Sequence, residues 1–194
     1  MGKHWHCPKV ELSAGACLWG AVLLLAVPLP WVAAAVTAAA FHELCHCLMI
    51  WLLGGNVWEI RMGSGGTAIN MVGLSNGGEL LAAAAGPAGS FSLLLLAERL
   101  PQLALCGFVQ GMFNLLPVYP MDGGRILFCI LTLVLPLERV ESVCIWVEKG
   151  ILILLLTGGV VLSLFYKLGP MPYLLALGMM IQAKRRKNPC KEWD

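Results

Sequence analysis

The sequence predicts an all-α integral membrane protein, a six-span helical bundle with a broken fourth span and a small membrane-associated β-hairpin. Of its 194 residues, 59% are hydrophobic and only 12% are charged, whereas an ordinary soluble domain carries about 25% charged residues. The mean hydropathy is +0.80. The apolar residues fall in runs near the length of about 20 residues that a spanning helix needs. The net charge of +2 is small and scattered, so we expect a lipid bilayer and no nucleic acid as a partner.

Six apolar segments give the predicted spans, at residues 12–28, 31–53, 79–97, 102–135, 150–165 and 171–183. Pro28 and Pro30 form the turn between the first two spans. The third follows Asn76 and Glu79, which have the spacing of a capping box. The fourth is interrupted at 117–124, where two prolines and two glycines break the helix before it resumes at 125. Residues 137–149 alternate apolar and charged side chains at helical spacing, which predicts a short interfacial helix.

The stretch 56–71 differs from the spans because its apolar residues come in short runs around a glycine-rich turn at 63–66. This pattern predicts a β-hairpin. An open sheet edge does not face lipid, so the hairpin is expected at the interface or beside a cavity. We expect one transmembrane domain over 1–194, with a core at 31–136 and a basic C-terminal tail at 184–194.

Basic residues predict the orientation of the chain, since they are enriched on the cytoplasmic side of a membrane. With six spans both termini share one side, and 10 of the 13 Lys and Arg residues fall there. These are Lys3, Lys9, Arg61, Arg139, Lys149, Lys184, Arg185, Arg186, Lys187 and Lys191. Arg99 and Lys167 fall opposite, and Arg125 sits at the broken span. Both termini are therefore expected to be cytoplasmic.

The second span contains the motif of a zinc peptidase. His42 and His46 are four residues apart, so both imidazoles lie on one face of a helix and can share a metal ion. Glu43 follows the first histidine and is placed to act as a general base. Ionisable side chains inside a membrane span are costly and usually functional. At 1.5 Å per residue the motif would lie about 10 Å from the cytoplasmic end of the span.

A third ligand is needed, because catalytic zinc takes three protein ligands and keeps one position open. The other two histidines, His4 and His6, belong to the N-terminal tail. Asp122 is the other clearly intramembrane carboxylate and lies in the interrupted fourth span. It also has the form of a cap for a helix that begins at Gly123. The sequence thus predicts one zinc ion per chain, bound by His42, His46 and Asp122.

These residues resemble the site-2 protease family of intramembrane zinc metalloproteases. The resemblance rests on the run from His42 to His46 together with the run from Asn114 to Gly124, and Gly86–Ser90 is similar to a small-residue motif of the family. The small, six-span form looks like the branch that processes a sporulation sigma-factor precursor. The resemblance implies that Glu43 is the general base and that Asn114 positions the substrate. It also implies that the hairpin edge pairs with an unwound, membrane-tethered protein substrate, near the cytoplasmic face of a bacterial cell membrane, under possible control by regulatory membrane proteins.

Other interpretations stay open at this stage. Asn114 has the alternative role of hydrogen-bonding between helices. His4, His6 and Cys7 look like a metal cluster but fit a terminal tail, and Arg125 fits a partner of Asp122 or of lipid headgroups. A catalytically inactive zinc-binding scaffold and a metal transporter are the alternative functions. The transporter would need ligands spread along a path, whereas these cluster at one depth.

Overall fold

The structure is a computed structural model that describes residues 9–12, 21, 24–25, 27–63 and 66–165. The predicted sixth span, the basic tail and His4 and His6 lie outside the described residues, as does most of the predicted first span. The chain divides into two compact units, Met1–Leu115 and Leu116–Asp194. Each unit is described in turn.

The described part of the first unit consists of a small sheet and three helices. Its elements are strand β1 (Lys9–Leu12), helix α1 (Leu29–Leu52), strand β2 (Asn56–Gly63), strand β3 (Gly66–Val72), helix α2 (Asn76–Ser92) with a 3₁₀ turn (Leu93–Leu96), and helix α3 (Pro101–Asn114). Helices α1, α2 and α3 pack against one another. The predicted second and third spans correspond to α1 and to α2 with its 3₁₀ turn.

Helix α1 begins at a proline pair, and Pro30 occupies an early position where its missing N–H costs nothing. Its buried residues recur every four positions, at Ala34, Ala38, His42, His46 and Ile50. Residues spaced by four form one stripe along a helix. Large apolar side chains on the rest of the helix are exposed, as in a helix surrounded by lipid. The two histidines therefore lie on the one face of α1 that packs inward.

Helix α2 is held close to its neighbours by small residues. A Cβ added at Gly89 would meet the side chain of Cys45 on α1, and one added at Gly111 on α3 would lie 3.2 Å from the Cβ of Ser90. The predicted cap at Asn76 is wrong by one residue. The N-cap is Ser75, whose Oγ accepts a hydrogen bond from the Gly78 N–H (3.3 Å). The serine side chain satisfies one of the free N–H groups of the first turn, which is the usual work of an N-cap.

The sheet contains the predicted hairpin and one strand that was not expected. Strands β2 and β3 pair antiparallel, which confirms the hairpin at 56–71. Strand β1 pairs with β2 in parallel, with Leu12 opposite Met62, so the order is β1-β2-β3. The prediction that a spanning helix begins at residue 12 is wrong at that end. Apolar and charged residues alternate over Lys9–Leu12, and a period of two is typical of a strand.

The described part of the second unit contains helix α4 (Asp122–Thr132) and helix α5 (Leu137–Phe165). The separate interfacial helix and fifth span are wrong as two elements, because α5 is one continuous helix. Charged residues near Gly150 suggested that a helix ends there. In the structure the helix continues, and Lys149 Nζ lies 5.4 Å from the centre of the Trp146 ring. Helix α4 begins three residues before the predicted position. Asp122 is its first residue and not its cap, since the N-cap is Met121.

Among the described residues, three helices are long and apolar enough to cross a membrane. They are Leu29–Leu52, Asn76–Leu96 and Leu137–Phe165. Helices α3 and α4 have 14 and 11 residues, which is fewer than the roughly 20 of a full span. The helices are interrupted over residues 115–121, which overlaps the interruption predicted at 117–124 but ends three residues earlier. The count of six spans remains a prediction.

Candidate metal centre

His42 and His46 form a buried pair on the inward face of α1. Their side chains are 2% and 7% exposed. The rings meet edge to face, with centroids 4.7 Å apart and planes at 82°. The two Nε2 atoms face each other at 3.1 Å. The spacing of four residues thus does what the sequence predicted, because it brings one nitrogen of each ring to the same point.

Helix α2 holds the other nitrogen of each ring. His46 Nδ1 lies 2.7 Å from the backbone oxygen of Ala82, and His42 Nδ1 lies 2.8 Å from Ser90 Oγ. A carbonyl oxygen only accepts hydrogen bonds, so His46 carries its proton on Nδ1 and leaves a lone pair on Nε2. Metal-binding histidines are commonly oriented in this way by a partner on the second nitrogen. The assignment of this tautomer follows from the hydrogen-bond partner.

The space beside the two Nε2 atoms fits a metal ion. For two nitrogens bound at 2.0–2.1 Å to a tetrahedral centre, the separation is about 3.3 Å, close to the 3.1 Å found here. Gly86 of α2 borders this point. A Cβ added there would lie 2.8 Å from His42 Nε2 and would contact His46 Nε2 and Cε1 more closely still. The absence of a side chain at Gly86 therefore leaves room for a bound atom next to both nitrogens.

The remaining predicted residues lie at three places. Glu43 adjoins His42 on α1 and is half-buried. Asn114 is the last residue of α3, and Asp122 is the first of α4; both are half-buried. In the first unit the structure thus brings together His42, His46 and Glu43 on one helix. The carboxylate of Asp122 belongs to the second unit, at the end of the segment that interrupts the helices.

That segment is folded tightly against the start of α4. The Val118 N–H donates to the Leu116 carbonyl (2.7 Å), and the Met121 N–H donates to the Val118 carbonyl (2.9 Å). A Cβ added at Gly124 would lie 3.0 Å from backbone atoms of Tyr119 and Val118. Only glycine allows this close backbone approach. Gly124, two residues after Asp122, therefore lets the loop fold back against the first turn of α4.

Comparison with known proteins agrees with this arrangement. The sequence profile of Peptidase family M50 matches residues 85–157. A zinc metalloprotease from Methanocaldococcus jannaschii is 33% identical over 109 residues, in an alignment that covers 49% of this chain and 32% of the relative. The solved structure of a site-2 protease from the same organism has a similar fold, with a TM-score of 0.68 and 22% identity, over 92% of this chain and 90% of that one. Residues 85–157 of this chain thus resemble peptidase family M50, and its fold is similar to that of a site-2 protease.

These matches agree with the resemblance noted in the motifs. Together with the three helices that are long and apolar enough to cross a membrane, they indicate an integral membrane protein. The profile match contains Asn114 and Asp122, while His42, Glu43 and His46 precede it. The chain spans about a third of the length of the curated M. jannaschii relative.

Sequence reasoning missed three residues beside the histidine pair, Ala82, Gly86 and Ser90. All three lie on α2, four residues apart, and face the histidines of α1. The run Gly86–Ser90 stood out as a small-residue motif, which indicates close helix packing. Its hydrogen bonds to the histidines carry no signal in the sequence, because they depend on how α2 is rotated against α1.

Proposed function

We propose that this chain is a member of peptidase family M50 and an intramembrane zinc metalloendopeptidase with one zinc ion per chain. The observation that carries the proposal is the buried histidine pair, with its Nδ1 atoms held by α2 and its Nε2 atoms converging at 3.1 Å. Such a pair, beside a glycine that leaves space, is suited to a metal ion. The neighbouring Glu43 adds the group that hydrolysis requires.

We assign Asp122 as the third protein ligand. His42 and His46 supply two imidazoles from α1, and Asp122, which the sequence analysis pairs with them, supplies a carboxylate from the start of α4. Two imidazoles and one carboxylate are a donor set that zinc accepts in catalytic sites. When bound, zinc polarises the scissile carbonyl and makes water more acidic.

The protein's own groups carry the proton transfers. Glu43 acts as general base, taking a proton from the attacking water, and then as general acid, delivering it to the leaving amine. Its half-buried position on α1, next to a ligand, suits both steps. Asn114, with an amide that both donates and accepts, holds the backbone of the substrate near the site.

The proposed substrate is a single-span or membrane-tethered protein that is cut near the cytoplasmic face. A helical substrate has its amides paired internally and must unwind before a carbonyl is accessible. Strand β3 is supported as a docking element because it forms one edge of the described sheet, and an extended peptide can add to such an edge. We also propose six spans in a bacterial membrane and cytoplasmic termini. The orientation of the termini is supported by the distribution of basic residues described above.

The decisive experiment compares Glu43→Gln with the parent protein. Both are co-expressed with a panel of tagged single-span reporters and purified for zinc analysis. We expect Glu43→Gln to retain zinc and to lose cleavage, since it keeps the size of the side chain but removes the base. Glu98→Gln, at an exposed glutamate, is the matched control and should retain both. If Glu43→Gln cleaves as well as the parent, the assigned mechanism is wrong.

Regulated intramembrane proteolysis of a sigma-factor precursor is the finer proposal. It is tested by co-expression with a membrane-tethered sigma-factor precursor and, separately, with a single-span anti-sigma factor. Cleavage of the first substrate alone supports the proposal. A parent protein that binds zinc and cuts neither these substrates nor the panel would favour a non-enzymatic zinc-binding scaffold. Zinc flux into liposomes would favour a transporter.

A further inference from the structure

The two histidines have hydrogen-bond partners of different kinds. His46 Nδ1 faces a backbone carbonyl, that of Ala82, which can only accept. His42 Nδ1 faces the hydroxyl of Ser90, which can either accept or donate. The backbone carbonyl therefore favours a proton on His46 Nδ1, whereas the hydroxyl that faces His42 Nδ1 is compatible with either tautomer of His42.

This difference matters because the two Nε2 atoms are only 3.1 Å apart. Neutral His46 with its proton on Nδ1 presents a lone pair at this point. If His42 also presents a lone pair, the two repel unless a cation or another proton donor lies beside them. If instead His42 carries its proton on Nε2, it donates a hydrogen bond to His46, and its Nδ1 then needs a donor. Ser90 is the group that faces that Nδ1.

We propose that Ser90 is a positioning residue that allows His42 to exchange tautomers when metal binds. This inference rests on the proposed metal site. Without metal, the Ser90 hydroxyl donates to His42 Nδ1, and His42 Nε2–H donates to His46. With metal, the His42 proton resides on Nδ1 and is donated to Ser90 Oγ, so both Nε2 lone pairs face the ion. The imidazole stays neutral and Ser90 keeps its own proton in both states; only the hydroxyl rotates.

The surroundings of Ser90 suit this role. Ser90 is fully buried, at 0% exposure. On α3, a Cβ added at Gly107 would lie 2.9 Å from the Ser90 carbonyl oxygen, and one added at Gly111 would lie 3.2 Å from the Ser90 Cβ. The side chain is thus enclosed, and rotation about its Cβ–Oγ bond changes only the direction of the hydroxyl proton. A carbonyl or a carboxylate at this place would only accept, and an alanine would remove the hydroxyl that faces Nδ1.

The test measures zinc binding and the His42 tautomer directly, so it does not depend on proteolysis. The background carries His4→Gln and His6→Gln, which leaves two of the chain's 4 histidines. Zinc affinity of the full-length protein in detergent is measured by competition with a chromogenic chelator. We expect Ser90→Ala to weaken zinc binding about 10- to 100-fold, the usual effect of losing an outer partner of a metal-bound histidine.

Ser92→Ala is the matched control. Ser92 lies on the same helix, is exposed, and donates its hydroxyl to the Gly89 carbonyl (2.6 Å) instead of facing a histidine. Its zinc affinity should stay within about twofold of the parent. Equal losses in both variants would mean that the effect comes from helix packing, and would overturn the proposal.

Histidine ¹⁵N NMR supplies the signature that a purely structural role would not produce. In the parent background, adding zinc should move the His42 proton from Nε2 to Nδ1, while His46 stays protonated on Nδ1 throughout. In Ser90→Ala, the zinc-bound spectrum should lose the hydrogen-bond shift of the His42 Nδ1–H. A His42 that carries its proton on Nδ1 both with and without zinc would refute the exchange.

Two outcomes separate this proposal from that of the metal site itself. If the parent background binds no zinc, the metal site is wrong and Ser90 has no such role. If the parent binds zinc and Ser90→Ala binds it equally well, only the role of Ser90 is wrong. Should Ser90→Ala not fold, Ser90→Cys is measured in its place, because a thiol of similar volume is only a weak donor and acceptor. Weaker zinc binding than in the parent supports the role of Ser90, and equal binding refutes it.

Discussion

Gly86→Ala is the sharpest test of where the metal ion lies, because it adds one carbon at the proposed position. The new Cβ would lie 2.8 Å from His42 Nε2 and nearer still to His46 Nε2. A comfortable contact between such atoms is about 3.5 Å or more. His42 alone would have to move by about 0.7 Å, whereas ligand distances at a metal site tolerate only about 0.2 Å. The substitution should therefore break the ligand geometry.

The expected loss of zinc affinity is more than about 100-fold, the upper end of what disturbing a single outer partner causes. A factor of 100 corresponds to about 2.8 kcal/mol of binding free energy. The fold should survive, because alanine is favoured over glycine in a helix by about 0.8–1 kcal/mol and this offsets part of the cost of moving the rings. We therefore expect a folded protein with poor zinc binding and no proteolysis.

The assay is chelator competition on purified protein, with the melting temperature and far-UV circular dichroism as measures of folding. Two glycines of the same helix serve as controls. Gly77→Ala meets nothing within 4 Å, and Gly89→Ala meets Cys45 but no histidine among its nearest atoms. Gly77→Ala should bind zinc like the parent, and Gly89→Ala should lose stability more than zinc affinity. If Gly86→Ala binds zinc within threefold of the parent, the metal ion does not lie between α1 and Gly86.

Three further results are expected. Asp122→Asn should weaken zinc binding by more than about 100-fold, beyond the range of an outer-shell change, as measured by the same competition; an unchanged affinity would remove Asp122 from the ligand set. Stripping zinc with a chelator should lower the melting temperature in detergent, since a ligand at 100 times its Kd adds about 2.7 kcal/mol to the free energy of unfolding; identical melting curves with and without zinc would contradict a resident metal. Ser75→Ala should cost about 1 kcal/mol of stability by removing the N-cap of α2, seen as a lower melting temperature at unchanged zinc stoichiometry; loss of zinc here would show that the cap shapes the site.

Local signals predicted much of the fold, and pairings between distant parts of the chain account for the errors. Helix α1 was expected at 31–53 and lies at Leu29–Leu52, because prolines mark its start whatever the rest of the chain does. Strand β1 was missed because its partner residues lie about 50 positions later. Helix α5 was divided in two because a charged pair beside a glycine imitates a helix end. The helix continues through it since nothing there removes a backbone hydrogen bond.

The sequence likewise predicted the site residues that follow from local spacing and missed those that depend on helix packing, as α2 illustrates. Histidines four residues apart must share a face of α1, so their convergence follows from the sequence alone. Ala82, Gly86 and Ser90 also repeat every four residues, and this period matches that of the histidines. Two helices with matching stripes can pack so that each histidine meets one residue of the opposing stripe and the glycine falls between them. The sequence displays both periods but not their register, which in the structure also brings Gly89 close to Cys45. A chemical role for Ser90 therefore becomes visible only when the chain between it and His42, 48 positions earlier, has folded.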